Sequence, residues 1–109
     1  MKIDKSPFLL TDWDNIEIKE RNGVTGKSTS KITFLGETRI RLVEYSANYL
    51  ADHWCNKGHV IYCIEGEMQT RLEDGRVFTL TKGMTFQVGD DTEAHRSSTE
   101  KGCKLLIVD

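Results

Sequence analysis

Residues 52–66 read Asp52-His53-Trp54-Cys55-Asn56-Lys57-Gly58-His59-Val60-Ile61-Tyr62-Cys63-Ile64-Glu65-Gly66. Two of the chain's three histidines lie in this stretch. His53 and Cys55 are two positions apart, so on a strand both side chains leave the same face. Asn56-Lys57-Gly58 is a turn signal, and His59 then opens an apolar run that would return antiparallel. Strands predicted over 49–55 and 59–65 thus place His53, Cys55 and His59 at one end of a hairpin. Imidazole and thiolate suit zinc, iron, nickel or copper, which need several donors converging within about 2.0–2.3 Å of one point.

The same rhythm continues in both directions. Strands are predicted over 29–35, 39–46, 49–55, 59–65, 67–73, 76–81, 84–88, 94–98 and 103–108. They are punctuated by Gly36-Glu37, Glu65-Gly66, Asp74-Gly75, Lys82-Gly83, Gly89-Asp90-Asp91 and Lys101-Gly102. Short strands with frequent turns point to an all-β sandwich or barrel. No stretch sustains a 3.6-residue apolar period, so little helix is expected; Thr11-Asp12-Trp13-Asp14 could cap a single turn. Cys103-Lys104-Leu105-Leu106-Ile107-Val108 is almost continuously apolar and is predicted to lie between other strands. In a closed barrel a strand remote in sequence can carry His95 opposite the first hairpin.

Bulk properties narrow the partners. The 109 residues suit one domain. Residues 1–27 are polar and irregular and read as an arm packing on the barrel or on a partner subunit, with the barrel over 28–109. Fifteen Lys and Arg against 17 Asp and Glu, dispersed along the chain, argue against a nucleic-acid partner. No segment approaches the roughly 20 apolar residues of a membrane span. The first residues lack the apolar run of a signal peptide, and the three cysteines form no CxxC pair. Free thiols in a reducing, cytoplasmic compartment are the expectation. A small-molecule or protein partner is the default, with a small-molecule ligand for the pocket.

With these residues in view, the stretch from Tyr45 to Asp109 resembles the cupin pattern. Its first motif carries two histidines, a glutamate and a glycine, and its second a glycine and a later histidine. With Gly66 on the first motif's glycine, His53 falls on the first histidine, Cys55 on the second and His59 on the glutamate. Gly83 and His95 fall on the second motif. The whole chain is similar to the small DHCW-motif cupin group, since Asp52-His53-Trp54-Cys55 carries those letters in the order D-H-W-C. The resemblance implies a double-stranded β-helix, or jelly-roll barrel, and a divalent transition metal on His53, Cys55, His59 and His95. It also implies a homodimer, which a surplus N-terminal arm favours. The departures are substantive. A cysteine stands for a histidine, a histidine stands for the glutamate, and the second motif's proline is missing. A site so read has no carboxylate, and oxygenase chemistry does not carry over.

Plainer readings stand beside these. The histidines could be buried and bonded only to one another and water, although three imidazoles without a shared purpose is the less economical account. Cys55 could be a small buried hydrophobe. Cys63 shares the parity of His59 and Ile61 and reads as core, as does Cys103 (or else as subunit interface). Trp54 has the opposite parity and is expected outside the sheet. Asp52 could support a ligating histidine from behind, or serve only in a turn. Arg39, Arg41, Tyr45 and Gln69 are candidates to enter the pocket, with solvent or an interface the commoner fate. Gly26-Lys27-Ser28 ends like a phosphate-binding loop, but Arg21 stands where the earlier glycine belongs. No serine has a nucleophile-elbow context. The expectation is a metal-binding cupin with a pocket for a small polar metabolite, enzymatic or not; the alternative is a metal- or ligand-sensing module.

Overall fold

A computed structural model describes residue 3 and residues 5–109. After a three-residue 3-10 turn, Trp13–Asn15, the described chain is built of strands. They are β1 (Lys19–Asn22), β2 (Lys27–Leu35), β3 (Thr38–Tyr45), β4 (Tyr49–Leu50), β5 (His59–Leu72), β6 (Val77–Thr81), β7 (Thr85–Val88), β8 (His95–Thr99) and β9 (Cys103–Val108). All pairings are antiparallel. One sheet runs β1-β2-β3-β9-β5-β7, and the other runs β4-β8-β5-β6.

Strand β5 belongs to both sheets, because its first half pairs with β7 and β9 and its second half with β6 and β8. The crossing is made at Gly66. Its φ is +79°, and a Cβ there would lie 2.4 Å from the Gly102 carbonyl oxygen. Only glycine tolerates both conditions. A register shift between Cys63 and Glu65 accompanies the crossing, and it switches the inward parity from His59, Ile61 and Cys63 to Met68 and Thr70. The turn predicted at Glu65-Gly66 is therefore a bulge within one long strand, not a break between two.

Between the sheets, Val43, Ile61, Cys63, Leu105 and Ile107 meet Met68 and Leu80, with Tyr45 and Phe86 packed against them. Cys63 is buried, as its phase predicts, and Cys103 is buried in the core as well. Strand β9 lies between β3 and β5, the central place its apolar run predicts. The 3-10 turn is capped as expected, by Asp12 Oδ1 accepting from the Asp14 amide at 3.1 Å. Residues 19–22 form β1 on the edge of the first sheet, so that part of the arm is a strand where the sequence reads as irregular. Residues 1, 2 and 4 of the predicted arm lie outside the described residues.

One predicted element is corrected. The strand expected over 49–55 stops at Leu50, and residues 51–58 run as a loop with one bridge, Cys55 to His95. β4 pairs with β8 rather than with β5, so the hairpin predicted from Asn56-Lys57-Gly58 does not form. Those three residues turn the loop, but the backbone partners on either side come from elsewhere.

Candidate metal centre

The loop is held by specific bonds. Cys55 and His95 exchange both backbone hydrogen bonds, 2.7 Å from the Cys55 amide and 3.0 Å from the His95 amide. The Asp91 amide donates to the Asn56 carbonyl at 2.8 Å, and the Gly58 amide donates to Asp90 Oδ1 at 2.6 Å. A Cβ on Gly58 would meet the Asp90 nitrogen at 2.6 Å, so the approach requires glycine. The acidic turn at Asp90-Asp91 thus clamps the loop and delivers Cys55 to His95.

His59 enters from the start of β5 and His95 from the start of β8, both buried. Their Nε2 atoms stand 2.7 Å apart. The outer nitrogens are committed elsewhere: His95 Nδ1 lies 3.0 Å from the Glu93 carbonyl oxygen, and His59 Nδ1 lies 3.4 Å from Asp109 Oδ2. A carbonyl and an ionised carboxylate can only accept, so both Nδ1 atoms carry the proton. Two Nε2 lone pairs are then left facing each other inside the protein. That arrangement repels unless a cation, either a proton or a metal ion, lies between them. Burial pushes the pKa of His95 down, with the Glu93 carbonyl opposing and the neighbouring His59 adding to the effect.

Cys55 completes the set. One ligand atom from each of Cys55, His59 and His95 lies within 4.8 Å of the others. A tetrahedral ion at zinc–nitrogen distances would set the two imidazole nitrogens about 3.3 Å apart. The histidine pair need open by only about half an ångström to admit it, a shift that side-chain torsions absorb. Two imidazoles whose far nitrogens donate to oxygen acceptors, plus a thiol, are a donor set that fits such a metal.

His53 is not brought to that point. Its side chain is 62% exposed, and its Nδ1 lies 2.7 Å from Asp52 Oδ1. The hydrogen bond considered for Asp52 exists, to a histidine at the cavity wall rather than in the buried cluster. Trp54 departs from expectation as well, since without a strand it has no outward parity and it lines the same cavity. Arg39, Arg41 and Tyr45 reach that cavity; Gln69 is exposed on the second half of β5 and does not.

Sequence reasoning missed Asp109. Its side chain is fully shielded. Oδ1 accepts from Arg39 Nε at 2.8 Å, while Oδ2 accepts from Arg39 Nη2 at 3.0 Å and Arg41 Nη2 at 3.1 Å as well as facing His59. Burial alone would raise its pKa; hydrogen bonds from His59 and Arg39 and the charges of Arg41 and Arg39 hold it well below the usual carboxylate range. A signal existed. Cys103, Leu105 and Ile107 face inward, and Asp109 continues that alternation by one step.

The cavity over this cluster measures about 420 Å³, within the range of small-molecule sites. No family model matches the chain, and no curated protein matches it. Solved structures do. An RmlC-like cupin from Shewanella frigidimarina superposes with a TM-score of 0.71 at 21% identity, over 94% of this chain and 89% of that one. The fold is that of a cupin. Ectoine synthase from P. lautus shares the cupin fold with a TM-score of 0.75 at 19% identity, covering 93% of this chain and 76% of its own. Iron(II) HppE gives 0.74 at 14% identity, over 93% of this chain and 59% of that protein. At these identities the likeness speaks for the cupin architecture, and the site must be argued from its own atoms.

Proposed function

We propose that this cupin holds one divalent transition metal on His59, His95 and Cys55 and binds a small polar metabolite in the cavity above it. The observation that carries the reading is the pair of Nε2 atoms at 2.7 Å, with each ring's Nδ1 facing an oxygen acceptor. The iron in a structural neighbour is consistent with it. Bound there, the metal would supply Lewis acidity to a ligand atom. The chain's own contributions are separate. Asp109 and the Glu93 carbonyl fix the two imidazole tautomers, the clamped loop presents the thiol, and the Trp54 and Tyr45 rings wall the cavity. Three protein donors leave a coordination position open, the arrangement of catalytic rather than structural sites. If His53 swings in as a fourth donor, the site closes and a sensing or storage module becomes the reading.

We assign the chain to the DHCW-motif cupins on Asp52-His53-Trp54-Cys55, and read it as a cytoplasmic homodimer. The deciding experiment is elemental analysis of protein purified without an affinity tag, alongside His59→Ala, His95→Ala, Cys55→Ser and His53→Ala. One metal per chain in the parent, lost in the first two variants, is expected. Full metal content in both would overturn the assignment. Cobalt substitution tests the thiol: Cys55→Ser should lose the sulfur-to-metal charge-transfer absorption.

A further inference from the structure

The cavity carries an imbalance of charge that the metal site does not use. Its wall holds four cationic side chains, Arg21, Arg39, Arg41 and Lys57, against two carboxylates, Asp52 and Asp109. Arg21 lies 3.7 Å from Asp52, so that pair largely cancels. Asp109 is shared by Arg39 and Arg41, and one carboxylate cannot neutralise two guanidiniums. The division is unequal. Arg39 bonds both oxygens, whereas Arg41 makes a single bond through Nη2, and its buried Nε has no partner. Burial and the charge of Arg39 both push the pKa of Arg41 down, the mark of a cation in want of a counter-ion.

We infer that the cavity takes a small metabolite bearing an oxyanion, a carboxylate or a phosphate, which pairs with the under-bonded Arg41 guanidinium beside the metal cluster. Arg41 sits on β3 facing the interior, next to Val43. Asp109 Oδ2 touches both Arg41 Nη2 at 3.1 Å and His59 Nδ1 at 3.4 Å, so the guanidinium and the cluster flank one carboxylate. A planar guanidinium with spare donors prefers an oxyanion to a neutral hydroxyl, because charge-assisted bonds are roughly twice as strong. The inference rests on the cavity reading above, but on Arg41 rather than on the metal donors.

The test titrates malonate, inorganic phosphate and neutral malonamide into metal-analysed protein by calorimetry. Malonate or phosphate is expected to bind and malonamide not to bind; the tighter of the two anions identifies the headgroup. Arg41→Gln should weaken anion binding by about tenfold or more while metal content stays at the parent level. Should that variant fold poorly, Ser30→Asp gives the same reading from the other side. Ser30 is half-buried at the cavity wall, opposite Val43 on β2, and a carboxylate there should occupy Arg41 and exclude the anion. Equal binding by parent and Arg41→Gln, equal binding by parent and Ser30→Asp, or no anion binding by the parent would overturn the inference. Anion binding that depends on Arg41 in a protein without metal would sink the metal assignment and leave this one standing.

Discussion

The two ends of this barrel are built from the same strands and do opposite things. At the end near Gly66 and Gly102, strands β5 and β9 turn Cys63, Met68, Cys103 and Leu105 inward, and Met68, Leu105 and Cys63 are completely buried. At the other end the same strands present His59 and Asp109, and β8 and β3 add His95, Arg39 and Arg41. One end is an apolar core, closed at its edge by Thr99, whose hydroxyl donates to the Glu67 carbonyl at 2.6 Å and accepts from the Gly102 amide at 3.1 Å. The other keeps an open cavity and holds its charges by mutual bonding. The packed core and the candidate site are thus separated along the same strands, and substitutions should sort accordingly.

The largest effect on stability is expected at the dry end. Leu105→Ala should cost about 3 kcal/mol by denaturant unfolding, the usual result of a cavity in a sealed core, while metal content is retained. Loss of metal together with stability would show that the two ends are not independent. At the polar end, Asp109→Asn should cost about 2 kcal/mol, less than for a fully buried pair because both arginines are partly exposed. It should also weaken metal binding about tenfold or more, since His59 loses the acceptor that orients it.

The two ends should also fail at opposite limits of pH. The carboxyl pKa of Asp109 is depressed on folding. Its contribution is complete above the unfolded value near about 4 and is lost as pH falls towards the folded value. The acid limb of the stability curve should therefore flatten in Asp109→Asn. Burial, followed by the neighbouring Cys63, pushes the Cys103 thiol up to about 12. A raised acid contributes fully below its unfolded pKa and progressively less as pH rises from roughly 9 towards that value. Alkaline destabilisation that Cys103→Ala relieves would confirm that the dry end resists ionisation; an unchanged alkaline limb would break the contrast. Gly58→Ala is expected to alter global unfolding by only about 1 kcal/mol. It should still lower metal affinity, because the added Cβ pushes the loop away from Asp90 and carries Cys55 with it. Metal titration alongside unfolding checks this smallest effect.

Much of the fold was legible because strand phase is a local property. The inward parity of His59, Ile61 and Cys63, the central position of β9 and the low helix content follow from residue types read two at a time. The readings that failed concern segments whose conformation is decided by remote partners. Residues 49–55 have the composition of a strand, yet only Tyr49 and Leu50 find a ladder partner, on β8. Beyond them the backbone bonds to Ser97, His95 and the Asp90-Asp91 turn instead. Parity ceases to exist in such a loop, which is why Trp54 faces the cavity and His53 stays outside the cluster.

From the amino-acid order alone came the strand content, the interior face of much of the long strands, and His53, Cys55, His59 and His95 as candidate ligands. Tertiary structure alone decided that Cys55 reaches the histidines across a bridge to His95 while His53 stays outside, that Asp109 lies behind His59 as a hydrogen-bond acceptor, and that Arg41 is left short of a counter-charge. The reason is range: alternation is set by neighbours one and two residues away, whereas a site is closed by contacts between residues 36 to 70 positions apart, and no local pattern records where those chains will cross.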